Sequence, residues 1–162
     1  MKSFIIFLFG LLAVQFANAQ ISTNIGGLNI GQTNLYDGLK IIKNVDNDCL
    51  YYDSNNKIEV SANNFSFGGI NWNDIIASFE NSLLVRVQLN TEGYPSTSSV
   101  NMFKKLNDAY LNKYKDYLVY SSPYAYMYKD DYVRVLLSFN EDDSSITVTY
   151  TYEYTPKIGD GI

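Results

Sequence analysis

The chain has 162 residues, with 12 basic and 17 acidic side chains and no histidine. The acidic balance argues against nucleic acid and against anionic membrane, since both need a basic face. The missing histidine removes Ser-His-Asp and Cys-His mechanisms and the commonest transition-metal ligand, and no metal or cofactor is expected.

The first nineteen residues read as an export signal. Lys2 gives a short positive start, Phe4–Val14 an apolar run, and Ala17-Asn18-Ala19 a small-x-small cleavage site. Residues 1–19 are therefore expected to be removed, leaving an exported chain, periplasmic or secreted, that begins at Gln20. The apolar run is too short to span a bilayer, and no later segment approaches the ~20 apolar residues required. Without Lys2 the balance is 11 basic to 17 acidic, a charge near −6, which serves solubility and also suits a basic partner. Cys49 is the only cysteine, so no disulfide can close within the chain and a packed core must hold it. Cys49 itself is expected as a small buried apolar residue.

Residues 20–32 are rich in Gly, Asn, Ser and Thr and read as a flexible lead-in, with a short strand at Leu28–Ile30. Gly26-Gly27 and Gly31 lack the lysine and the preceding strand of a phosphate loop. Leu35, Leu39, Ile42 and Val45 mark a short helix, with Thr33 or Asn34 as its cap and Gly38 weakening it. Asp46-Asn47-Asp48 makes a polar turn. Cys49–Tyr52 and Lys57–Ser61 form a hairpin around Asp53–Asn56. Asp46, Asp48 and Asp53 lack the glycine and glutamate of a calcium loop and are solvated turn residues. Phe65–Ile70 and Asp74–Phe79 follow as strand-like runs. In Leu83–Leu89, Leu83, Val85, Val87 and Leu89 point one way and Leu84, Arg86 and Gln88 the other.

The clearest helix is Ser98–Tyr117. Met102, Phe103, Leu106, Ala109, Tyr110, Tyr114 and Tyr117 recur at three and four residues and trace one apolar stripe. Phe103 and Leu106 lie mid-stripe, so they are expected to be its most buried members. Beyond the helix, Tyr124, Tyr126 and Tyr128 share one face of a strand. Tyr132–Phe139 is β-branched and aromatic, and Ile146–Tyr154 alternates throughout. Residues 156–162 read as a loose tail.

Short turns imply antiparallel neighbours. The expected fold is one α+β domain over residues 33–155. It is a twisted antiparallel sheet of six to seven strands packed against one long and one short helix. The halves 33–90 and 98–155 share the same grammar, as in a tandem α-β-β-β arrangement. Phe67-Gly68-Gly69-Ile70-Asn71-Trp72-Asn73 is followed by a Phe-ended strand, a short turn and Leu84-Val85-Arg86-Val87. With a helix closing in Leu111-Asn112-Lys113-Tyr114, this pattern resembles small exported proteins of Gram-negative bacteria. Their tandem α-β-β-β layout is similar to that of the beta-lactamase inhibitor protein. The resemblance spans roughly residues 28–155 and implies a fold and a binding role. It carries over no inhibitory residue, because none is matched by motif.

The compositional signature is tyrosine, 15 in the chain. Tyrosine offers a large contact area with few rotors and one polar tip, which suits interfaces; it is also favoured inside antiparallel sheets. Tyr110, Tyr114 and Tyr117 read as core. Tyr124, Tyr126, Tyr128, Tyr150, Tyr152 and Tyr154 are the candidate binding face. The resulting expectation is an exported, non-catalytic module that binds another protein, as an inhibitor or immunity-type protein does. The alternative is a carrier of a small apolar or sugar ligand, which requires a tyrosine-lined cavity. A carboxylate-dependent hydrolase comes third, since the acidic residues cluster in turns at Asp130, Asp131, Glu141, Asp142 and Asp143.

Overall fold

A computed structural model describes residues 20–54, 57–93 and 96–153. The expected signal peptide 1–19, the tail 156–162 and Tyr154 lie outside the described residues. The chain opens with β1 (Asn24–Ile25), β2 (Leu28–Asn29) and helix α1 (Leu35–Val45). Four strands follow: β3 (Leu50–Ser54), β4 (Lys57–Phe67), β5 (Ile70–Glu80) and β6 (Leu83–Asn90). Helix α2 (Ser96–Tyr114) then runs into a 3-10 turn (Lys115–Tyr117). The last four strands are β7 (Leu118–Ser121), β8 (Ala125–Lys129), β9 (Val133–Phe139) and β10 (Ile146–Tyr152).

The fold is α+β, and its main sheet is antiparallel. It has eight strands rather than six or seven, ordered β3-β4-β5-β6-β10-β9-β8-β7, and β1-β2 form a separate ribbon. Each half is a helix followed by four strands, one more than an α-β-β-β unit. The halves meet where β6 pairs with β10, Val87 opposite Tyr150 and Leu89 opposite Val148. Two sequence readings of individual strands also differ from the structure. Phe65–Ile70 is not one strand: Phe65–Phe67 ends β4, Gly68-Gly69 turn the chain at φ 65° and 76°, and Ile70 opens β5 opposite Phe67. A two-residue hairpin of this kind needs positive φ at both positions, which glycine adopts freely. β7, which the sequence reading missed, has only four residues and a register shift, too short for a periodic signal.

One face of the sheet carries the core. A row across all eight strands reads Tyr51, Val60, Ala77, Val87, Tyr150, Val135, Tyr128 and Leu118. Its members from Val60 to Tyr128 are buried. The row on the opposite face reads Tyr52, Glu59, Ser78, Arg86, Thr151, Arg134 and Lys129, and it is polar. Side-chain bonds run across that face, from Lys57 to Glu59 at 2.8 Å and from Lys129 and Arg134 to Glu153 at 2.6 and 2.9 Å. An antiparallel sheet with one packed and one wet face gives this alternation.

Both helices pack on the apolar face, α1 against β4 and β6 and α2 against β9. α1 starts where expected, with the Asn34 side chain accepting from the Asp37 N–H at 2.9 Å. Gly38, a weak point by helix propensity, is buried, and the ring of Phe79 fills the space a β-carbon would need. In α2 the most buried stripe residues are Phe103 and Tyr114, with Ser99 buried in its first turn. Leu106 is only half-buried, contrary to its mid-stripe position, because it borders an open cleft.

Three further expectations are corrected. Segment 20–32 is packed rather than a loose lead-in: Ile21, Ile25, Leu28 and Ile30 are all buried. It is tied to both halves, by Gly31 N–H to Leu84 O at 2.9 Å, by Ser22 N–H to the Tyr114 hydroxyl at 3.1 Å and by Ile21 N–H to Asp130 at 3.0 Å. Cys49 is half-buried, not enclosed. In β6, Leu84 is buried with Val87 and Leu89, while Leu83 and Val85 are half-buried. Ser78 pairs with Arg86 but Phe79 pairs with Leu84, so Val85 is the extra residue of a bulge. One inserted residue shifts a two-residue period by half, and every side chain before it changes face.

Candidate functional site

The tyrosines singled out by sequence do not form one exposed face. Tyr128 is fully enclosed, with its ring 5.8 Å from that of Tyr110 and 6.4 Å from that of Tyr114, and its hydroxyl donates to Asn107 at 3.2 Å. Tyr126 lies against Phe103 at 6.0 Å. Tyr150 is buried and its hydroxyl bonds that of Tyr110. Tyr152 is half-buried against Gly31. Tyr124 alone of the described five is well exposed; it stacks at 6.4 Å on Phe139 and its hydroxyl bonds Glu141. Most of the expected binding face is thus the layer beneath α2. The alternation that placed these tyrosines on one side of β8 and β10 was right, but the helix covers that side.

Burial governs the acid–base behaviour of this layer. Loss of hydration disfavours the phenolate and pushes Tyr128 up to about 12. The same cause raises Tyr110 and Tyr150 further, and neighbouring tyrosines add to it. Tyr124 is raised for another reason, its hydrogen bond to Glu141.

Beside the layer lies a cleft of about 350 Å³ between α2 and the β4–β5 turn. Phe67, Trp72, Leu106, Tyr110, Tyr114 and Tyr150 form its walls. It continues past Gly68 and Ala109 into a second hollow of about 550 Å³ lined by Ile70, Met102 and Lys105. The N-terminal ribbon closes one end with Ser22 and Asn24. The helix and the hairpin each contribute one wall because the two-residue Gly68-Gly69 turn ends the sheet abruptly there. Tyr110 and Tyr114, read as core from their spacing, prove to be both core and cleft.

A second feature is the free edge of β3. Leu50, Tyr51 and Tyr52 are 74%, 52% and 64% exposed, three consecutive large side chains on both faces of the strand. Among the described residues β3 pairs with β4 alone, in unbroken register from Leu50–Ser61 to Ser54–Lys57. The far edge of the sheet is protected: β7 is short and bulged, and Ser122-Pro123 follows it. β3 has no bulge, lysine or proline, and its one charged side chain, Asp53, stands next to its last residue, so Leu50–Tyr52 carries none of the devices that ordinarily block pairing at an edge. The sequence signal was present in Leu50-Tyr51-Tyr52, apolar at consecutive positions where a half-buried strand alternates.

Among the described residues, the carboxyls of Asp46, Glu59 and Asp143 are all held below the usual carboxylate range. Asp46 is held by the N–H groups of Asn63 and Asp48, Glu59 chiefly by Lys57, and Asp143 by Ser145. A general acid needs the opposite shift. Among the described residues no group of three or more His, Cys, Asp or Glu side chains could hold a metal, and no helix is long and apolar enough to cross a membrane. Compared with protein-family models, curated proteins and solved structures, the chain matches none of them.

Proposed function

We propose that this protein is an exported, non-catalytic binding module that takes an extended strand from a protein partner along β3. The observation that carries the reading is the unguarded edge, with its outward backbone groups and three consecutive exposed apolar side chains. Strand addition satisfies the free backbone N–H and C=O groups, and side chains that alternate between the faces set the preference. Leu50 and Tyr52 share one face and Tyr51 the other, so the partner strand is apolar at successive positions. Asp48 precedes β3, Asp53 lies near its end and the whole chain is acidic, which favours basic residues at the ends of the partner segment. The export part of the reading rests on residues 1–19. The downward-shifted carboxylates speak against the hydrolase reading.

The test is capture from exported material of the source cell on the immobilised protein, beside a Leu50→Lys/Tyr52→Lys variant. Both side chains are exposed, so the variant should melt as the parent does. One stoichiometric protein should be retained by the parent and lost by the variant. Retention by both would move the interface off β3. No retained protein under several conditions would overturn the binding function itself.

A further inference from the structure

The walls of the cleft present donor protons for which no acceptor is found among the described residues. The Tyr110 and Tyr150 hydroxyls bond each other. Two hydroxyls hold two protons, and one bond uses one of them. The Tyr114 oxygen accepts from the Ser22 N–H at 3.1 Å, which occupies a lone pair and leaves its own proton undirected. Tyr114 and Tyr150 are only 4% and 3% exposed, and both line the cleft. At the mouth stands the Lys113 ammonium, exposed and 5.0 Å from the centre of the Tyr114 ring. Across from the helix the hairpin wall is apolar, Phe67 and the indole of Trp72, whose N–H is already spent on Phe67 O at 3.1 Å, and Leu106 adds an apolar side chain one turn before Tyr110 on the helix itself.

We infer that the cleft binds a small carboxylate with an apolar body, the body against Phe67, Trp72 and Leu106 and the carboxylate toward Tyr114, Lys113 and the Tyr110–Tyr150 pair. The partition of the walls argues for this class. One side gives hydrogen-bond donors and a positive charge, matched by a group that only accepts and is negative. The other side gives hydrocarbon and ring surface, matched by an apolar chain or ring. The donor-bearing part holds about 350 Å³, the small end of ligand sites, which suits a fatty acid or arylalkanoate whose far end can extend into the adjoining hollow past Gly68 and Ala109. The raised tyrosine pKa values keep the hydroxyls protonated, and so able to donate, throughout the neutral range. Sugar stacking is a poorer match, because a sugar's own hydroxyl donors gain nothing from Lys113. The cleft shares no residue with the β3 edge, so the two proposals stand or fall separately.

Trp72 is the only tryptophan and forms a cleft wall, which makes its fluorescence a local reporter. The purified protein is titrated with decanoate, with decanol and with methyl glucoside. Decanoate should produce a saturable change in Trp72 emission, and decanol should bind more weakly. Lys113→Met and Tyr114→Phe should each weaken decanoate about tenfold and leave decanol unchanged, the loss of one charge-assisted contact. Lys113 is exposed, so its variant folds even should Tyr114→Phe fail to. No saturable response to decanoate would overturn the site. Equal binding of decanol and decanoate, or unchanged decanoate affinity in Lys113→Met, would overturn the carboxylate assignment. A response to methyl glucoside alone would make the site one for sugars.

Discussion

At the scale of single residues, two positions separate propensity from packing. Gly38 sits inside α1, where alanine is favoured by about 1 kcal/mol. A β-carbon there would lie 2.4 Å from the Phe79 ring, which is fully buried and has nowhere to go. Overpacking of this kind costs about 1–3 kcal/mol, so Gly38→Ala should lower the urea midpoint despite the better helix residue. A raised midpoint would mean that the ring can shift. On α2, Phe103 is 5% exposed and packs 5.6 Å from Phe139. Phe103→Ala should cost about 3–5 kcal/mol. Lys104→Ala on the outer face should stay within about 0.5 kcal/mol. Equal losses in a urea melt would show that the stripe is not the buried face.

At the scale of elements, the contact between α2 and strands β8 to β10 joins Phe103 and Phe139 to a cluster of tyrosines, and its pH response follows from the tyrosines. Tyr128 titrates near 12 in the folded chain, against an ordinary value of 10.0. A raised folded value means that the folded state holds its proton more tightly. The stabilisation is complete below the unfolded value and is lost as pH climbs from about 10 to about 12. Tyr110 and Tyr150 are raised further and act in the same direction. Stability should therefore fall steeply above about pH 10, and the buried phenols should ionise together with unfolding when absorbance and circular dichroism are followed in parallel. Smooth ionisation of every tyrosine before any loss of helix signal would contradict the packed layer. The β6 bulge belongs to this scale too. It turns Leu84 inward so that the strand end meets Phe79 and Thr33, through Leu84 N–H to Thr33 O at 2.9 Å.

At the scale of the molecule, the two helix-plus-four-strand halves share one core. β6 and β10 are neighbours at the seam, and segment 20–32 is bonded to both halves. Neither half can open without exposing Val87, Leu89, Val148 and Tyr150. Unfolding should accordingly be a single transition. Trp72 reports on the first half only, whereas much of the far-ultraviolet helix signal comes from α2 at the start of the second. The two signals should give coincident urea curves, and separated midpoints would show halves that fold independently. With one cysteine, reducing agent should leave the curve where it is.

Sequence alone determined the features that depend on local periodicity and local caps. The 3.6-residue stripe located α2, the cap candidates Thr33 and Asn34 located the start of α1, and the alternation of Ile146, Val148 and Tyr150 located the buried side of β10. Turn chemistry was enough to predict antiparallel neighbours. Tertiary structure decided what lies opposite each apolar surface. A tyrosine row looks the same in sequence whether a helix or a partner covers it, and here α2 covers Tyr126, Tyr128 and Tyr150. A single bulge at Val85 reversed a clean alternation, because phase along a strand is kept only until one residue is inserted. Gly-rich residues 20–32 proved to be packed because their four isoleucine and leucine side chains find the core, although composition suggested a tether. The order of strands made β3 an edge, and the gap between α2 and the Gly68-Gly69 turn made a cleft. Both arise from contacts between segments far apart in the chain, which no local pattern encodes.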